Sequence, residues 1–135
     1  MANEAVKSYS ESSAGDVVQD YTCADGTGIE KGTLVKLSDP RTVAATTAVT
    51  DGEVCAGITA REKIASDGRT QISVHKKGYF EMNASGAIVV GAPVISAGGN
   101  EVSTAAGTNY SGAAIIGYAE ETAADNETIL VRLDL

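Results

Sequence analysis

Residues 29–37 read Ile-Glu-Lys-Gly-Thr-Leu-Val-Lys-Leu, and residues 88–96 read Ile-Val-Val-Gly-Ala-Pro-Val-Ile-Ser. Both follow the pattern Ile-x-x-Gly-x-x-Val. A second signature recurs downstream of each: Ala56-Gly57-Ile58-Thr59-Ala60-Arg61-Glu62 answers to Ile116-Gly117-Tyr118-Ala119-Glu120-Glu121. Each copy then closes on a β-rich run, Thr70-Gln71-Ile72-Ser73-Val74 and Thr128-Ile129-Leu130-Val131-Arg132-Leu133. The offset between copies is 59 at the first signature, 60 at the second and 57 or 58 at the end, so the copies differ by small loop insertions. Two copies of so long a period are too few for a solenoid. The repeat predicts one compact β body made of two quasi-repeated halves, residues 29–78 and 86–135.

Size and composition agree with a single body. A chain of 135 residues falls within one domain. At that length roughly two-thirds of the unfolded surface can be buried, so no disulfide or metal is needed to hold the fold. Apolar residues make up 43% but aromatics only 4%, with no Trp, so the core must be built from Val, Ile, Leu and Ala. Fifteen Gly with two Pro signal many turns. The net charge of −8 argues against nucleic acid as a direct partner, because its phosphates would repel the chain. No apolar run reaches the roughly 20 residues that span a bilayer, and the first residues carry no apolar signal core. Synthesis in a cytoplasm is the expectation, with Cys23 and Cys55 as free thiols.

Residues 1–28 have a different character. Glu4, Glu11, Asp16, Asp20 and Asp25 face only Lys7, among Ser8, Ser10, Ser12 and Ser13. Val17, Val18 and Tyr21 are the clustered residues able to be buried. Such a stretch cannot offset its ordering entropy alone. Residues 1–22 are therefore expected to form an extended arm, with residues 1–15 loose and 16–22 strand-like, ahead of a single β domain over 23–135.

From Ile29 onward the pattern is β. Asp39-Pro40 interrupts the first strand, since Pro fixes φ and removes a donor. Asp51-Gly52, Asp67-Gly68 and Gly98-Gly99-Asn100 are tight-turn signals. A weak strand is expected over Thr42–Val49. Another is expected over Val54–Ile64, with a helical turn near Arg61–Ala65. Ile72 and Val74 alternate with Ser73 and His75, and Ile129, Val131 and Leu133 alternate at the end. Lys76-Lys77-Gly78 is expected to turn into Tyr79–Met82, and Ala113–Ala119 to form a buried strand. Short strands between turn signals predict an all-β sandwich or small barrel. Val35, Ile58, Ile72, Val74, Val94, Ile116, Ile129 and Val131 are the predicted core.

Residues that could carry chemistry are scarce. His75 is the one histidine, and its alternation places it on the face opposite Ile72 and Val74, beside two lysines and with no carboxylate near in sequence to orient it. Glu120, Glu121, Asp125 and Glu127 lack the Gly and the ligand spacing of a calcium loop. Asp25-Gly26-Thr27-Gly28 lacks the third Gly and the helix of a phosphate loop. Cys55 sits in an apolar run and reads as core. No catalytic residue, cofactor or metal site is predicted.

The whole series resembles the capsid decoration, or head cement, proteins of tailed bacteriophages. It runs through Ile29–Leu37, Cys55–Ile58 with Arg61-Glu62-Lys63, Ile72–Val74, Gly78, Gly86–Val94, Ile116–Ala119 and Ile129–Leu133. The resemblance covers about residues 16–135. It implies a non-catalytic virion protein that forms a trimer on the capsid exterior. It also implies an N-terminal arm that adds to a strand or loop of the major capsid protein, with Val17, Val18 and Tyr21 as the candidate contact residues. Two alternatives come from other classes. Lys-Gly-Thr-Leu-Val-Lys-Leu also resembles the turn-and-strand units of barrel-sandwich carrier domains, but the hairpin tips Asp67-Gly68-Arg69 and Gly98-Gly99-Asn100 lack a modifiable Lys. A small-ligand-binding or enzymatic β domain is the other.

Overall fold

The computed structural model describes residues 5–9, 18–47, 53–105 and 112–135. It is all-β. The strands are β1 (Val6–Tyr9), β2 (Val18–Thr22), β3 (Leu34–Asp39), β4 (Thr42–Ala45), β5 (Cys55–Thr59), β6 (Gln71–His75), β7 (Lys77–Ala84), β8 (Pro93–Gly98), β9 (Glu101–Thr104), β10 (Gly117–Ala119) and β11 (Thr128–Asp134), with one 3-10 turn at Gly112–Ala114.

The repeat in the sequence is a repeat of connectivity. Strands β2-β4-β3-β5-β6 close a five-stranded barrel. Strands β7, β11, β10, β8 and β9 repeat that order and close through a β7–β9 pairing, while β1 adds outside β7. In each half the first and third strands pair parallel, Thr22 with Thr42 and Asn83 with Glu101, and the other pairings are antiparallel. Even single bridges recur: Ile29 pairs with Lys63, and Ile88 with Ala123. The first half therefore begins at β2, earlier than Ile29, and the second at β7. Residues 1–22, expected as an arm, contain β1 and β2. The Lys76-Lys77-Gly78 turn is absent, because β6 ends at His75 and β7 starts at Lys77, so the chain passes almost straight from one barrel to the other.

Each barrel is filled by its alternating apolar residues, as small barrels must be. Tyr21, Cys23, Ile29, Val35, Val43, Ala56, Ile72 and Val74 fill the first. Phe80, Met82, Val94, Val102, Ile116, Ile129, Val131 and Leu133 belong to the second cluster. All eight residues predicted as core are buried. Leu34, Cys55 and Ile58 point out of the first barrel and into the second cluster, and so join the halves. Asn100, in the left-handed conformation at the β8–β9 turn, clips them: its Oδ1 accepts from the Leu34 N–H at 2.7 Å and its Nδ2 donates to the Gly32 carbonyl at 2.9 Å.

Several local expectations change. Residues 61–65 contain no helical turn; Lys63 makes a strand bridge there instead. The strand expected over Val54–Ile64 is shortened to Cys55–Thr59 and that over Thr42–Val49 to Thr42–Ala45, while Ala113–Ala119 divides into the 3-10 turn and the short β10. Asp51-Gly52 lies outside the described residues.

Candidate attachment surface

Of the three candidate contact residues, Tyr21 is the one whose side chain is described. Val17 lies outside the described residues. Val18 opens β2, where its backbone pairs with His75. Tyr21 is buried in the first barrel, and the Lys76 ammonium lies over its ring at 5.1 Å, a cation–π distance. Tyr21 therefore roots the segment rather than extending from it. The parity of β2 explains this: Tyr21 is paired with Ile72 at a position whose side chain enters the barrel.

Ahead of β2, β1 reaches both halves. The Ala5 N–H donates to the Gly32 carbonyl of the first half at 2.8 Å, and Val6–Tyr9 pairs antiparallel with Tyr79–Glu81 of the second. Among the described residues β1 pairs with β7 alone, so one of its edges carries no neighbouring strand. An edge of this kind can accept a strand from another chain. Beneath β1 lies a cleft of about 310 Å³, lined by Ala5 and Val6, by Lys31, Ile58 and His75 of the first half, and by Phe80 of the second. It sits at the small end of the roughly 300–1,000 Å³ range of ligand sites. His75, on the face opposite Ile72 and Val74, is half-buried at this seam with its ring 5.7 Å from that of Phe80.

The acidic turn residues serve the backbone. Asp125 accepts from the Gly86 N–H at 2.8 Å, and Glu121 from the Leu130 N–H at 2.8 Å. Among the described residues no three His, Cys, Asp or Glu side chains gather as a metal site would require. Cys23 and Cys55 are buried free thiols. Burial pushes the Cys55 thiol up to about 12 and raises Cys23 as well.

One charged centre is invisible in the sequence. Lys63, part of the charged run Arg61-Glu62-Lys63, is 2% exposed. Its ammonium donates to the Asp25 carboxylate and carbonyl at 2.9 Å each, to the Ile64 carbonyl at 2.6 Å and to Asp67 at 2.7 Å. Burial works against the charge, but the hydrogen bonds to Asp67 and Asp25 outweigh it and hold Lys63 above its ordinary range. The same bond from Lys63 holds Asp67 below the usual carboxylate range. The matching position in the second half is Ala123.

The exposed apolar residues were also missed. Val89, Val90 and Tyr118 are 65%, 57% and 45% exposed, and Leu37 and Val54 are 43% and 45% exposed. In the sequence they look like ordinary strand residues, and the alternation gives no sign that these particular ones stay exposed.

A family model described as phage cement protein matches residues 12–134, nearly the whole chain. The chain belongs to the phage cement protein family. Membership makes it a structural protein of the phage capsid. The fold is similar to that of a solved structure, the head fiber gp8.5 N base in bacteriophage phi29, with a TM-score of 0.56 at 11% identity over 89% of this chain and 95% of that one. At that identity the likeness is one of fold. The search of curated proteins gave no match.

Proposed function

We propose that this family member binds the outer surface of a tailed-phage capsid and cements the shell without catalysis. The observation that carries the reading is the family match over residues 12–134. The partner is the major capsid protein, and the protein is made in the host cytoplasm and acts as a homotrimer. Cementing needs a rigid body and a segment that engages the shell. The two filled barrels supply the first, and the N-terminal residues 1–22 supply the second, with Val17 and Val18 contributing contacts and the buried Tyr21 fixing the root. The unpaired edge of β1 supports strand addition as the mode, since main-chain hydrogen bonds then give affinity and side chains give register. Many copies on one shell act together, so each contact can be weak.

The test is addition of the purified protein to undecorated capsids of a tailed phage. Deleting residues 1–15 removes β1 but neither barrel, because both close without it. The deleted protein is expected to stay folded and to occupy capsids less. Full occupancy by that variant moves attachment to the body. No binding by the intact chain overturns the cement reading itself.

A further inference from the structure

Strand β1 stands outside the repeat. Tyr21 pairs with Ile72 and Met82 with Ile129, all four buried, so β2 and β7 are matching strands and Val18–Asp20 answers to Tyr79–Glu81. β1 pairs with Tyr79–Glu81, whereas among the described residues no strand takes the matching place on β2. The repeated fold is complete without β1, and both barrels close without it. β1 is also lightly held. It pairs at Val6–Glu81, Lys7–Phe80 and Tyr9–Tyr79, with the register shifting between Lys7 and Tyr9. On the other edge of β7, β11 pairs over all of its seven residues with no shift. Of the two side chains described at this end of the chain, Ala5 buries one methyl and Val6 is 55% exposed. The cleft of about 310 Å³ between these two and the buried Ile58 and Phe80 marks a loose fit. The main-chain bonds, among them Ala5 N–H to the Gly32 carbonyl, can be traded for equivalent bonds to another strand at little net change in free energy.

We propose that β1 is a stored strand: it rests on β7 in the free protein and leaves β7 to pair with a sheet edge of the partner chain on the shell. The proposal rests on the attachment reading given above and names the step that controls it. The register shift within β1 decides between the two ways of using the strand. Such a bulge bends a strand and twists its outer edge, which is one way native sheets blunt an edge against further pairing. A partner strand added to β1 where it lies would meet that blunted edge. Once freed from β7, β1 can straighten and pair along its length. Storage has a use of its own. It keeps one side of β1 hydrogen-bonded until the shell is met, which limits pairing between free copies. Because β1 lies outside both closures, its departure opens neither barrel.

The test pins β1 in the full chain. Val6 and Glu81 are opposite partners and both are exposed, so Val6→Cys with Glu81→Cys sets two thiols at a spacing that a disulfide can bridge. Cys23 and Cys55 are buried and stay out of the reaction. The oxidised form is expected to lose occupancy of undecorated tailed-phage capsids, and the same sample is expected to regain it on reduction. Equal occupancy by the oxidised and reduced forms overturns the proposal and leaves the cement reading standing. Should this pair fail to fold, or fail to bind when reduced, Tyr9→Cys with Tyr79→Cys replaces it. Hydrogen exchange on the wild-type chain gives a readout free of capsids. The Ala5 amide and the β1 amides bonded to β7 are expected to exchange at least about tenfold faster than the β11 amides bonded to β7, through an opening that leaves the barrels closed. Equal protection of β1 and β11 overturns the proposal whatever the capsids do. A wild-type chain that ignores capsids but releases β1 in this way sinks the cement reading and leaves the stored strand in place.

Discussion

At Gly57 and Gly117 the second signature of the repeat has its physical cause. A methyl group at Gly57 would overlap the His75 carbonyl oxygen, and one at Gly117 the Arg132 carbonyl oxygen, because β6 and β11 cross at those points. Gly57 also has φ +148°, which L side chains rarely adopt. Gly57→Ala or Gly117→Ala is expected to cost about 4 kcal/mol or more, at the upper end for single substitutions, read from chemical denaturation. Lys63 gives a prediction in pH. Asp67 has a lowered pKa, so its contribution is present above the unfolded carboxylate value of about 3.9 and is lost as pH falls through the lower folded one. Lys63 has a raised pKa, so its contribution is full below about 10.4 and is lost as pH rises through the higher folded one. Stability should therefore be flat around neutrality and fall at both extremes. Lys63→Met should lower the melting temperature at pH 7 and flatten the acid limb, and an acid limb identical to wild type contradicts the assignment. The buried thiols should resist a disulfide reagent in the native state and react on unfolding, since Cys55 at about 12 holds almost no thiolate at neutral pH.

Among the elements, the β8–β9 turn clips the halves together. Asn100 satisfies the Leu34 N–H and the Gly32 carbonyl from across the seam and is itself 3% exposed. Asn100→Ala strands both groups and puts a Cβ-bearing residue without a polar side chain in a left-handed turn. The expected loss is about 2–4 kcal/mol, measured by urea denaturation; a loss under about 0.5 kcal/mol, the range of neutral surface changes, contradicts the clip. The sequence showed where strands and turns stand, because alternation at Ile72, Val74, Ile129, Val131 and Leu133 is a local signal. It showed residues 16–22 as strand-like but hid β2 as a barrel strand, because with Gln19 and Asp20 exposed the stretch reads as part of an arm until Tyr21 is seen paired with Ile72. It hid Lys63 as well: a lysine between exposed Glu62 and exposed Ile64 reads as surface, and its partners Asp25 and Asp67 meet it only when two loops fold together.

For the whole molecule, duplication is the organising fact. The doubled Ile-x-x-Gly-x-x-Val motif announced two halves, and both barrels carry the same strand order. How the copies divide their labour was not legible, since it depends on which face of each half is covered. The first half spends its outward β3–β5 face on the second, whereas Tyr118, at the position equivalent to Ile58, is exposed among the described residues. Attachment to a shell is the account's central claim, and titration of the intact protein onto undecorated capsids of a tailed phage, read by co-sedimentation and cryo-electron microscopy, tests it most directly. Saturable binding with ordered density on the outer surface, and a shell that resists heating better than the bare one, is the predicted result. Capsids that sediment without the protein at saturating concentration contradict it.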